Sequence, residues 1–144
     1  MNVIVVYATI TGNNEAIADI LIEQFKSKNI TPVKSEISQT DPIDLKKYDL
    51  ALIVPYTYDL GSIPSEGYDF FDDLLKTDLS NVNYVVVGSG DTFYGEKDYG
   101  AAVDLFDNQM EKANAKRVSD KIKIDRYPDE NDQKILIELV NKLI

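Results

Sequence analysis

Three runs in this chain are apolar without interruption: "NVIVVYA", "DLALIVPY" and "VNYVVVGSG". They are rich in Val, Ile and Tyr, the residues of pleated, packed surfaces. A strand with no polar alternation is buried on both faces, which is the mark of a parallel sheet covered by helices above and below. Two further runs, "TPVKSEI" and "RVSDKIKID", do alternate. They carry charge, and the first holds Pro32, so both read as edge strands.

Helical stretches separate the runs. Residues 13–28 place Ile17, Ile20, Leu21 and Phe25 on one stripe, and Phe70, Phe71, Leu74 and Leu75 mark a second helix. A third, over about residues 99–114, turns Ala102, Leu105, Phe106, Gln109 and Met110 inward. The last carries Ile135, Leu136, Leu139, Val140 and Leu143. Strand and helix alternate along the chain with no internal repeat or linker. The expected fold is an α/β, doubly wound, five-stranded parallel sheet of order 2-1-3-4-5, with helices on both faces, as one domain over residues 1–144. In such a sheet, ligands bind beyond the carboxyl ends of the strands, where strands 1 and 3 diverge.

Composition narrows the chemistry. The 144 residues contain no cysteine and no histidine. Disulfides, thiolate nucleophiles and Cys-ligated metals are excluded, and the commonest general base is missing. Chemistry is therefore expected on a bound cofactor. The formal net charge is −10 and the sequence pI is about 4.4. Such a surface repels nucleic acid and anionic lipid and steers toward basic protein surfaces, unless it serves solubility alone. No signal peptide or spanning apolar run is visible, so a cytoplasmic location is expected.

The loop after strand 1 is Thr9-Ile10-Thr11-Gly12-Asn13-Asn14. It offers hydroxyls, amides and backbone N–H groups at a helix start, which is an anion site that needs no cation. Thr11 or Asn13 can alternatively be an ordinary N-cap. With no Lys or Arg in the loop, a monophosphate suits it better than a triphosphate. The loops after strands 3 and 4, "PYTYDLGSIP" and "GSGDTFYGEKDYG", carry tyrosines. They can present two aromatic faces to a planar ring, or cover the core. A monophosphate joined to a flat heteroaromatic ring is flavin mononucleotide, FMN.

These loops resemble those of the flavodoxin family over nearly the whole chain. The family's phosphate loop reads roughly Ser/Thr-x-T-G-N-T-E, here "TITGNNE". Its strand-3 loop reads T-W-G-D-G or T-W-N-I-G, here "TYDLG". Its strand-4 loop reads G-x-G-D-x-x-Y, here "GSGDTFY". With no long insertion in "RVSDKIKID", the chain resembles the short-chain branch. The resemblance implies that Thr9, Thr11, Asn13 and Asn14, with backbone amides from Ile10 through Gly12 onward, hold the FMN phosphate. Tyr58 and Tyr94 would cover the two faces of the ring. Tyr56 and Thr57 would line the ribityl chain and ring. Ser89, Gly90 and Asp91 would meet the pyrimidine edge, and Asp59 and Leu60 would lie beside the flavin N5.

The implied function is low-potential, one-electron transfer by a monomeric flavoprotein that is not itself an enzyme. Its expected partners are redox proteins with basic docking surfaces, not nucleic acid or membrane. Three departures from the family pattern stand out. Asn14 replaces a threonine, Tyr58 a tryptophan, and Asp59 a frequent glycine, which makes a backbone flip beside N5 more costly. The acidic residues Asp59, Glu66, Asp69, Asp91, Glu96 and Asp98 read as a rim. Leu60 and Phe93 either fold inward or form an apolar docking patch. A response-regulator receiver lacks support, since "YAT" and "PYT" stand where its acidic residues would be. An FMN-dependent NAD(P)H:quinone reductase, a flavoprotein activating ribonucleotide reductase, and a fold member without FMN are the alternatives.

Overall fold

The computed structural model describes residues 1–9, 12–57, 65–90 and 100–144. Its strands are β1 (Val3–Tyr7), β2 (Val33–Glu36), β3 (Leu50–Val54), β4 (Asn83–Gly90), β5 (Lys116–Arg117) and β6 (Ile122–Asp125). Its α-helices are α1 (Gly12–Lys26), α2 (Tyr68–Leu74), α3 (Ala101–Lys112) and α4 (Glu130–Leu143). The strands pair in the order β2-β1-β3-β4-β5, with β6 also on β4, and every pairing is parallel. The expected order 2-1-3-4-5 is the observed one.

The strand composition explains the layering. Successive side chains of a strand point to opposite faces, and each face has its own core. On one face Ile4, Val6, Ala51, Ile53 and Val86 pack with Phe70 and Leu74 of α2 and with Val103, Phe106 and Met110 of α3. On the other, Val3, Val5, Leu52, Val85 and Val87 pack with Ile17, Leu21 and Phe25 of α1 and with Leu136, Leu139 and Val140 of α4. All residues of β1 and β3 are buried. The edge strand β2 is mostly exposed, as its charges require.

The fifth strand departs from expectation. It is two short strands, so the sheet has six among the described residues. From Tyr84 to Val87, β4 advances three residues, while the outer chain advances five, from Arg117 to Ile122. Two residues are surplus and must leave the ladder. The extra length falls in the polar stretch Ser119–Lys121, between Val118, whose N–H still donates to Tyr84 O at 3.0 Å, and Ile122.

The helix stripes need smaller corrections. Leu105 is 39% exposed, Leu75 60% and Ile135 45%. Each lies on the flank or beyond the end of its helix, and Val103 takes the inward position expected of Leu105. Two helices end on an asparagine in the left-handed region, Asn29 after α1 and Asn114 after α3. In both, the next N–H returns to a carbonyl five residues back, Ile30 to Phe25 at 3.0 Å and Ala115 to Met110 at 3.1 Å. Left-handed asparagine closes a helix at modest cost. No helix of the described residues is long and apolar enough to cross a membrane.

Candidate functional site

The carboxyl ends of β1, β3 and β4 form one edge of the sheet. β1 and β3 stay paired one residue past Tyr7, where Ala8 N–H donates to Val54 O at 3.0 Å. The chain then diverges at the exposed Thr9 and enters α1 at Gly12. The first-turn N–H groups of α1 have no partner within the helix, and its dipole favours an anion there.

Asn14 is the centre of this arrangement. It is fully buried. Its Oδ1 accepts from Ser89 Oγ at 2.6 Å and from Ser89 N–H at 3.3 Å. The first turn of α1 is thereby tied to the end of β4. Its Nδ2 has no hydrogen-bond partner among the described residues. A buried amide donor left unmade costs about 1–3 kcal/mol, so an orphan in a folded protein calls for a partner. Gly12, two residues earlier, offers a second sign. It lies in the first turn of α1, and a Cβ built there meets no atom of the described residues within 4 Å. Neither the backbone nor the packing of the described chain requires glycine at this position.

Thr9 is already engaged. Its N–H donates to Glu66 Oε1 at 2.8 Å and its Oγ to Glu66 Oε2 at 2.5 Å. Glu66 belongs to a 3-10 turn, Ser65–Gly67, at the entrance to α2. The sequence placed this residue in an acidic rim, and no local signal reveals a contact that spans 57 positions.

Thr57 is 5% exposed. Its Oγ1 accepts from Ala102 N–H at 3.0 Å, which satisfies a first-turn donor of α3 from another element. Thr57 N–H donates to Ser89 O at 3.1 Å, and Tyr56 bridges to Ser89. Close backbone approach holds the neighbouring glycines. A Cβ on Gly88 would meet Pro55 O at 2.5 Å, and one on Gly90 would meet Gly100 N at 2.9 Å. Gly100 has φ +63 and lies on the stem of Lys123. Lys123 and Lys121 bind the two carboxylate oxygens of Asp104 at 2.8 and 2.9 Å. Burial works against the charge on Asp104, but these hydrogen bonds hold its pKa below the usual carboxylate value. Arg126, in the left-handed region, donates its N–H to Gly90 O at 2.7 Å. Gly90 and Gly100, the two residues that flank 91–99, thus lie close together at the end of β4, with Gly90 also bonded to Arg126.

Of the residues singled out in the sequence, Thr9, Gly12, Asn13, Asn14, Tyr56, Thr57, Ser89 and Gly90 lie together on this edge. Ile10, Thr11, Tyr58, Asp59, Leu60, Asp91, Phe93 and Tyr94 fall outside the described residues. So do Glu96 and Asp98 of the acidic set.

A doubly wound sheet with a neutral, donor-rich helix start at its switch point defines a class of mononucleotide-binding domains. Comparison with known proteins is more specific. The model of the family described as Flavodoxin matches residues 5–138. A short-chain flavodoxin associated with a non-canonical PDU bacterial microcompartment is 46% identical, with a TM-score of 0.93 over 99% of this chain and 97% of that one. The flavodoxin of Streptococcus pneumonia TIGR4 is 35% identical, with a TM-score of 0.93 over the same shares. Probable flavodoxin 1 of Bacillus subtilis (strain 168) is 30% identical over 129 residues, 90% of this chain and 80% of the relative. The chain belongs to the flavodoxin family, in its short-chain form. It is an FMN-dependent electron-transfer protein with redox partners, rather than an enzyme.

Proposed function

We propose that the FMN phosphate is seated at the start of α1, and that the chain works as a low-potential, monomeric, cytoplasmic carrier. In this reading residues 1–144 form a single domain. The observation that carries it is Asn14, fully buried with Nδ2 unpartnered, in the helix turn that opens at Gly12. A phosphate oxygen is the partner that this donor lacks. The N–H groups of Gly12 and Asn13 add uncharged donors, and the dipole of α1 supplies the electrostatic balance.

Bound there, FMN supplies the one-electron chemistry. The chain's own residues bind and orient. Thr9, Thr11, Asn13 and Asn14, with the backbone from Ile10, would surround the phosphate. Tyr56 and Thr57 line the middle of the site, while Ser89, Gly90 and Asp91 present backbone groups to the ring edge. By the family resemblance Tyr58 and Tyr94 would stack on its faces, and Asp59 and Leu60 would flank N5. An acidic surface disfavours added negative charge on a nearby flavin, which keeps the potential low. The net charge of −10 favours redox partners with basic docking surfaces and opposes binding to nucleic acid or membrane.

The test is a spectroscopic titration of the apoprotein with FMN, followed by stepwise reduction. Tight binding and two separated one-electron steps are expected, with electron delivery to a basic partner slowing as salt rises. Rapid turnover of NAD(P)H with a quinone would instead favour the reductase, and absence of FMN binding would overturn the assignment.

A further inference from the structure

Thr9 opens the loop that the reading above assigns to the phosphate, yet both of its donors already hold an anion. Glu66 Oε1 takes the Thr9 N–H at 2.8 Å and Oε2 takes the hydroxyl at 2.5 Å. This is a two-point, charge-assisted grip, the strong kind. The turn that carries Glu66 is held in place, since Gly67 and Phe70 directly after it are buried. A threonine has one hydroxyl hydrogen. With that hydrogen on Glu66, the oxygen shows only lone pairs to its other side, and those repel a phosphate oxygen. The carboxylate charge repels it as well. Thr9 cannot serve a phosphate while Glu66 stays where it is.

We propose that Glu66 is an internal competitor for the FMN phosphate: its carboxylate occupies the first donors of the loop, leaves them when FMN binds, and so sets how strongly the chain prefers a phosphorylated flavin to an unphosphorylated one. This rests on the reading of the loop 9–14 as the phosphate seat. Competition at Thr9 acts on the phosphate alone. Any effect of Glu66 on the loop 58–64, which precedes it in the chain, would act on FMN and riboflavin alike.

The experiment is a parallel titration of the full-length apoprotein with FMN and with riboflavin, read by quenching of flavin fluorescence. The wild type is compared with Glu66→Gln, which keeps the side-chain length and one carbonyl acceptor but removes the charge. The expected result is a rise of about tenfold in the ratio of FMN to riboflavin affinity. In a Thr9→Val background, which lacks the contested hydroxyl, the same substitution gives a smaller rise. An unchanged or reduced ratio in Glu66→Gln, or a full rise in the Thr9→Val background, would overturn the proposal and leave the phosphate seat standing. A wild type with no preference for FMN over riboflavin would overturn the phosphate seat itself, and this proposal with it.

Discussion

Asn14 divides its amide between two duties. The oxygen ties α1 to Ser89 on β4, and the nitrogen, without a partner among the described residues, is the donor proposed above for the phosphate. A threonine at this position could not do both with the same reach, so the departure from the family pattern is what lets one side chain tie α1 to β4 and still hold a donor in reserve. The sequence shows the amide but not the pairing, because Ser89 is 75 positions away and neither residue has a periodic signal. Gly12 was legible, and its environment gives it a meaning. Since a Cβ there meets no atom of the described residues within 4 Å, Gly12→Ala should leave the apoprotein equally stable or raise its stability by up to about 1 kcal/mol. If the open space is the phosphate seat, FMN affinity should fall at least about tenfold. Thermal unfolding of the apoprotein and FMN titration of the same variant check the pair. Unchanged affinity would place the phosphate elsewhere.

At the scale of elements, legibility followed burial. β1, β3 and β4 were readable because strands covered on both faces leave no polar positions to confuse the pattern. The outer strand was readable as an edge, but its break was not, because that arises from a mismatch in register with β4, which alternation alone does not encode. What holds that strand is a polar network instead. Arg117 of β5 binds Asp107 of α3 at 2.6 and 2.9 Å and Glu111 at 2.8 Å. Beneath it, Tyr84 of β4 donates to Asp107 O at 3.0 Å and Oδ1 at 3.1 Å. Burial, with the charge of Asp107 behind it, pushes the Tyr84 hydroxyl up to about 12 from 10.0. A raised pKa contributes stability that is intact below the unfolded value and is lost as pH rises toward the folded one. Urea midpoints of the wild type should therefore fall between about pH 10 and 12 more steeply than those of Tyr84→Phe, which has no proton to lose. Parallel declines in the two proteins would contradict this role for the network.

Across the whole molecule, one sheet sorts the chain's tasks. Its two faces carry the cores, and its carboxyl edge gathers Thr9, Gly12, Asn13, Asn14, Tyr56, Thr57, Ser89 and Gly90. The family and fold were legible because three short motifs follow three buried strands in the expected order. The division of labour within the site was not, since Asn14 with Ser89, Thr9 with Glu66 and Thr57 with Ala102 are all long-range pairs. The central claim is that uncharged donors at the start of α1 take the phosphate. A crystal structure of the FMN-reconstituted protein tests it most directly. The expected result is a phosphate oxygen within hydrogen-bond distance of Asn14 Nδ2, with others on the N–H groups of Gly12 and Asn13. A bound FMN whose phosphate lies away from that turn, with Asn14 Nδ2 still unpartnered, would contradict it.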